Sequence, residues 1–150
     1  MTKAIYFDMD GTIADLYGVE NWLDYLEKED AYPYIAAKPL ISMSLLARYL
    51  NKLHKQGYHI GVISWTSKGG SQEYNSCVEL AKKQWLANHL KSVKFDDIMI
   101  VPYGTPKSQV ASIKNGILFD DNLDVRTEWY NSGGVPFDEE IIIPILKGLV

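Results

Sequence analysis

Several things are scarce in this sequence, and each scarcity closes a route. Cysteine occurs once, at Cys77, so no intramolecular disulfide can form, and a lone thiol fits a reducing cytoplasm. No apolar run approaches the length needed to span a bilayer. The stretch ahead of Asp8 is too short for the apolar core of a signal peptide, so a soluble cytoplasmic protein is expected. Positive charge is not in excess. Lys and Arg number 15 against 19 Asp and Glu, a formal net charge of -4, which gives no strong signal for nucleic-acid binding through a basic surface. A nucleotide as a small substrate stays open. The three histidines, His54, His59 and His89, show no metal-ligand spacing and read as structural or surface residues. Internal repeats and low-complexity tracts are absent.

What remains is an ordinary globular composition, 47% hydrophobic and 23% charged, in a chain of 150 residues that suits one domain. Short apolar runs alternate with helical stretches, the pattern of a parallel α/β sheet. Strands are predicted at 4–7, 58–63, 98–101, 116–119 and 135–137. A helix is predicted over 40–56, where Met43, Leu46, Leu50 and Leu53 recur at spacings of three and four and Gly57 closes the run. A second follows Ser71 to about residue 89, with Tyr74, Val78, Ala81 and Trp85 on one face and Cys77 read as packing within it. Residues 16–38 form a polar and aromatic insert whose end is punctuated by Pro33 and Pro39. From Ile141 the sequence fits a strand or a helix, because Pro144 interrupts it.

The polar residues fall in a telling place. Asp8, Ser64, Lys107 and Asp120-Asp121 each sit at or just past the end of an apolar run. In an open α/β sheet the carboxyl ends of the strands share one crevice, so residues far apart in sequence meet there. Asp8-Met9-Asp10-Gly11-Thr12 puts two carboxylates close together, and Gly11 lets the chain turn and its amides approach an anion. Asp120 and Asp121 add two more. At roughly 4 Å and an effective dielectric of about 20, each like-charged pair costs on the order of 4 kcal/mol. A hard divalent cation, magnesium first, relieves that repulsion. Lys107 and Ser64 then serve a phosphate by charge and hydrogen bond, and Met9 and Thr66 are further candidates for phosphate contact. A carboxylate nucleophile, a cation, a lysine and a hydroxyl together describe phosphoryl transfer. Asp8 would attack phosphorus, and Asp10 would protonate the leaving alcohol and later deprotonate the hydrolytic water.

These segments resemble the four motifs of the haloacid dehalogenase (HAD) superfamily: Asp8-Met9-Asp10-Gly11-Thr12 the first, Ser64 after Gly61-Val62-Ile63 the second, Lys107 the third, and Asp120-Asp121 after Ile117-Leu118-Phe119 the fourth. The resemblance implies a Rossmann-like, HAD-like α/β three-layer sandwich with a central parallel sheet, the insert at 16–38 serving as a small cap. It implies a phosphatase with Asp8 as nucleophile and Asp10 as acid/base. Magnesium would be held by Asp8, the Asp10 carbonyl and Asp121, with Asp120 a ligand or just behind one. A finer likeness lies in Lys82-Lys83-Gln84-Trp85-Leu86 and in residues 118–124, which are similar to the 5′(3′)-deoxyribonucleotidase branch and imply nucleoside monophosphates as substrates.

Other functions compete. A receiver-like phospho-acceptor module uses acids, a hydroxyl and a lysine on a similar sheet, but its acceptor Asp ends a middle strand, and Ser64 stands in the nearest such position here. A phosphatase of macromolecules, a nucleic-acid end or a phosphoprotein, would suit a small cap. Trp22, Tyr25, Tyr32 and Tyr34 in the insert either stack on a base or sugar, or pack the cap onto the core. Arg126 and Glu128 either orient the acids or begin a solvated helix.

Overall fold

The computed structural model describes residues 3–150. Met1 and Thr2, part of the lead read above as too short for a signal peptide, lie outside the described residues. In chain order the elements are β1 (Ala4–Phe7), β2 (Ala14–Asp15), α1 (Trp22–Glu27), α2 (Tyr32–Ala36), β3 (Lys38–Pro39), α3 (Met43–Lys55), β4 (His59–Trp65) and α4 (Gln72–His89). Then come β5 (Asp97–Val101), α5 (Lys107–Val110), β6 (Ile117–Phe119), α6 (Leu123–Asn131), β7 (Val135–Phe137) and α7 (Ile142–Leu149).

Five strands form one sheet in the order β5-β4-β1-β6-β7, every neighbouring pair parallel. The chain starts in the middle strand, builds outward through β4 and β5, then returns to the other side of β1 for β6 and β7. That reversal makes the carboxyl ends of β1, β4 and β6 the natural ligand crevice. Side-chain alternation along β1 divides the core. Ile5 and Phe7 join Ile60, Val62 and Phe119 under Leu46, Leu50 and Leu53 of α3, Trp85 of α4 and Ile142 and Leu146 of α7. Ala4 and Tyr6 face the other way, with Ile63 and Leu118, against Ala111 and against Val125 and Trp129 of α6. The result is the expected three-layer sandwich with a central parallel sheet.

Local chemistry sets the element ends. The side chain of Ser42 accepts from the Leu45 amide at 3.3 Å, so α3 begins at Met43 rather than at 40. Ser71 accepts from the Tyr74 amide at 3.1 Å and caps α4. The C-terminal stretch resolves as helix because Pro144 is the third residue of α7, where its missing N–H would have had no intrahelical partner. Cys77 is corrected: it is exposed. It lies about 100° around the helix from Val78, off the buried stripe of Tyr74, Val78, Ala81 and Trp85.

The insert is more structured than its sequence suggests. It holds α1 and α2, and its base is closed by β2 pairing antiparallel with β3. Pro33 is the second residue of α2 rather than a stop at the end of the insert. Leu16 and Tyr34 pack against Tyr74, Val78 and Ala81, seating the insert on α4. No helix among the described residues is long and apolar enough to cross a membrane.

Candidate active site

Asp8 follows the last residue of β1, and its amide donates to the Phe119 carbonyl at 2.9 Å, locking it beside β6. Its Oδ1 accepts from Lys107 Nζ at 2.9 Å and its Oδ2 from Thr12 Oγ1 at 3.0 Å. Lys107 also donates to Asp120 Oδ2 at 2.7 Å, while Asp120 Oδ1 accepts from the Asn122 amide at 2.9 Å. The Thr12 hydroxyl lies 3.2 Å from Asp121 Oδ1 and accepts from the Asp121 amide at 3.1 Å. Gly11 makes this turn feasible: its φ is 78°, and a Cβ there would stand 2.3 Å from Asp121 Oδ2. Arg126 donates to the Asp120 carbonyl at 2.9 Å, and Glu128 accepts from the Ser108 amide at 3.2 Å, next to Lys107. Both residues after the last motif therefore brace the acids' surroundings.

Asp8, Asp120 and Asp121 each present a carboxylate oxygen, all within 4.8 Å of one another. Three hard oxygen donors so placed fit a magnesium-like cation. The Asp10 carboxylate is not one of them: its Oδ2 pairs with Lys82 Nζ at 2.8 Å.

Burial and the two lysines together set the acids apart in protonation. Burial pushes Asp8 up, but Lys107 and Lys82 outweigh it and hold the group below the usual carboxylate range. Asp10 goes the other way, raised by burial and by the Asp8 charge despite Lys82. Burial and Asp8 push Asp120 up to about 6 and Asp121 up to about 7. Burial disfavours the Lys107 ammonium, yet Asp8 and Asp120 raise its pKa and keep it charged.

Ser64, 1% exposed, sits one residue before the end of β4. Its Oγ accepts from Lys82 Nζ at 2.7 Å. Met9 is placed differently: its side chain is buried in the core and its carbonyl accepts from the amides of Thr12, Ile13 and Ala14. Only its main chain is near the site. Thr66 lines the cavity, but its amide is already bonded to the Val101 carbonyl at 2.8 Å.

Lys82 is the site residue that strand-end reasoning missed. A readable signal exists, because Val78, Lys82 and Trp85 follow one another at spacings of four and three, which puts a lysine inside an apolar stripe.

Asp8, Asp10, Ser64, Lys107, Asp120 and Asp121 line the floor of a cavity of about 530 Å³. Its walls are aromatic: Tyr17 and Trp22 meet edge to face at 5.0 Å, and Trp65 tilts against Tyr103 at 4.8 Å. Tyr34 lines it too, whereas Tyr25 and Tyr32 pair with each other outside it. The Lys68 ammonium lies over the Tyr103 ring at 5.8 Å.

Two solved structures share this architecture. One is D,D-heptose 1,7-bisphosphate phosphatase from Burkholderia thailandensis, with a TM-score of 0.56 and 15% identity over 89% of this chain and 75% of that one. The other is the enzyme of the same name from B. bronchiseptica complexed with magnesium and phosphate, at 0.54 and 14% over 90% and 79%. This chain has their fold. No family model and no curated protein matches the sequence.

Proposed function

We propose that this chain is a magnesium-dependent phosphatase of the HAD superfamily, acting on nucleoside or deoxynucleoside monophosphates through an aspartyl-phosphate on Asp8. One observation carries the reading. Asp8 and Asp10 meet at the mouth of one crevice with different partners: Asp8 is bonded to Lys107 at 2.9 Å and shares the carboxylate cluster with Asp120 and Asp121, while Asp10 is paired with Lys82 at 2.8 Å outside that cluster. That division, with Asp8 lowered by its lysines and Asp10 raised by burial, supports Asp8 as nucleophile and Asp10 as acid. The complex of one fold relative with magnesium and phosphate is in keeping with it.

Asp8 forms the new bond to phosphorus as the ester P–O bond breaks, and Asp10 hands its proton to the departing oxygen. Asp10 then takes a proton from the water that cleaves the aspartyl-phosphate, which frees phosphate and restores both acids. Lys107, already charged, faces the phosphoryl group and offsets its charge, and Ser64 lends a hydroxyl. Asp8, Asp120 and Asp121 would hold magnesium, joined by the Asp10 carbonyl that the family resemblance implies. The metal supplies further charge neutralisation on the phosphoryl oxygens.

The walls support the substrate class. A cavity of about 530 Å³ with Tyr17, Trp22, Trp65 and Tyr103 on its sides suits a flat base and a ribose better than a polymer end. Residues 16–38 act as its cap.

The test is a turnover screen with magnesium. It compares nucleoside monophosphates, sugar phosphates and a 5′-phosphorylated oligonucleotide, with Asp8→Asn in parallel. Magnesium-dependent turnover of the mononucleotides, lost in the variant, is expected. Turnover that survives Asp8→Asn would overturn the mechanism. Preference for sugar phosphates or the oligonucleotide would overturn the substrate class. A stable phospho-aspartate without turnover would favour a receiver-like role.

A further inference from the structure

Lys82 has no task in the mechanism above, yet it is the more confined of the two lysines at the site. It lies within α4, 1% exposed, and a buried ammonium persists only where partners replace its water. Three oxygens do so: Asp10 Oδ2 at 2.8 Å, Ser64 Oγ at 2.7 Å and the Trp65 carbonyl. The Tyr34 ring faces the same ammonium, its centroid 5.3 Å away.

An ammonium has three protons to donate, and three oxygens use all of them. Lys107 differs. Among the described residues it donates to Asp8 and Asp120 alone, which leaves one proton for a phosphoryl oxygen. The two lysines thus divide the work. Lys107 is free to serve the phosphate, while Lys82 is committed to Asp10 and to the end of β4. No donor among the described residues bonds Asp10 Oδ1.

We propose that Lys82 is a positioning residue for the leaving-group step: it clamps Asp10 through Oδ2 to Ser64 and the Trp65 carbonyl, so that Oδ1 is presented to the oxygen that departs. This inference rests on the phosphatase reading. Ser64 and Trp65 belong to β4, which is bonded into the sheet beside β1, so the clamp ties the acid to the same rigid frame that carries the nucleophile. A proton donor contributes about 10²–10⁴-fold to rate only when it is within hydrogen-bond reach. Displacing a reacting group by about 1 Å can cost on the order of 10²-fold.

The test compares two esters that differ in their need for an acid. A nucleoside 5′-monophosphate expels an alkoxide and needs the proton, whereas p-nitrophenyl phosphate expels a stable phenolate without it. The value of kcat/KM reports the steps up to phosphoryl transfer for both. Lys82→Met keeps length and removes the charge. It is expected to lower kcat/KM for the nucleotide by about 10²-fold and for the aryl ester by about tenfold less than that. Equal losses on both esters would overturn the proposal, because they would place Lys82 on the phosphate. No loss on the nucleotide would overturn it as well.

Lys82→Met alone leaves the partly buried Asp10 without its lysine and is expected to lose stability. The double variant Asp10→Asn with Lys82→Met removes both charges and keeps the experiment readable. On the nucleotide it is expected to match Asp10→Asn alone, and a further loss would show that Lys82 acts independently of Asp10. If the unmodified protein turned over neither ester, the phosphatase reading itself would fail. If it turned over both while the losses were equal, only the clamp would fail.

Discussion

Lys107 is the residue on which the site's charge balance turns. It is 2% exposed and bridges Asp8 and Asp120, so its removal leaves two carboxylates together in a place with little water. Lys107→Met is expected to destabilise the metal-free protein by about 3–5 kcal/mol, read as a lower urea midpoint at unchanged slope. Thr12→Val keeps the shape and deletes the hydroxyl that links Asp8 to Asp121, which is expected to cost about 1–3 kcal/mol in the same titration. If the two losses came out equal, hydrogen bonding rather than charge would hold the cluster. Asp8, Asp10, Lys107, Asp120 and Asp121 could be picked from the sequence because each lies at or shortly beyond the end of an apolar run, and parallel strands deliver such ends to one rim. Lys82 could not be picked that way. It reaches the rim from the side of a helix, where lysines are usually solvated; its segment entered the sequence reading only as a family likeness, and its place in the apolar stripe of α4 is the physical mark of its burial.

Among the elements, the five strands of the main sheet and the two longest helices were legible, because their apolar runs are bounded by charged residues, glycine or proline and their helical periodicities run for several turns. The insert was not, since α1 and α2 have 6 and 5 residues, too few for a helical pattern to emerge. What holds it is tertiary. Glu29, with φ at 55°, turns its carboxylate to the start of α4 and accepts from the Ser71 amide at 2.9 Å and the Ser71 hydroxyl at 2.7 Å. The Tyr74 hydroxyl donates to the Asp30 carbonyl at 3.1 Å. Nothing local in the sequence announces contacts 42 and 44 residues apart. Ser71 therefore does two things, capping α4 and latching the insert that walls the cavity. Ser71→Ala is expected to cost about 1 kcal/mol of stability, in the usual range for a lost N-cap. It is also expected to raise KM for the nucleotide more than it lowers kcat, because the walls loosen while the floor stays fixed. Steady-state kinetics beside a thermal melt would check both, and a pure kcat effect would place the latch in the chemistry instead.

For the molecule as a whole, the parallel sheet gathers four carboxylates at one rim against two ammonium groups, and its stability should record that imbalance. Asp120, Asp121 and Asp10 are all raised, the first two to about 6 and about 7, so the folded chain keeps protons there that the unfolded chain has already released. Where the folded state binds more protons, stability falls as pH rises. The fall should run from the ordinary carboxylate range up to about 7. Asp8 does not cancel it: its lowered value contributes stability that is complete above the ordinary carboxylate range and is lost only on further acidification. A divalent cation needs these oxygens unprotonated, so binding expels the protons and gains strength over the same interval. Metal-free protein is therefore expected to melt at progressively lower temperature as pH rises from the ordinary carboxylate range to about 7, and saturating magnesium should flatten that decline. At a concentration of about 100 times Kd the cation adds about 2.7 kcal/mol, enough to read in a melt. Asp121→Asn should remove most of the magnesium-dependent gain. A magnesium shift of equal size at both ends of the pH range would mean that the cation binds away from Asp8, Asp120 and Asp121, and the arrangement of the crevice would need another explanation.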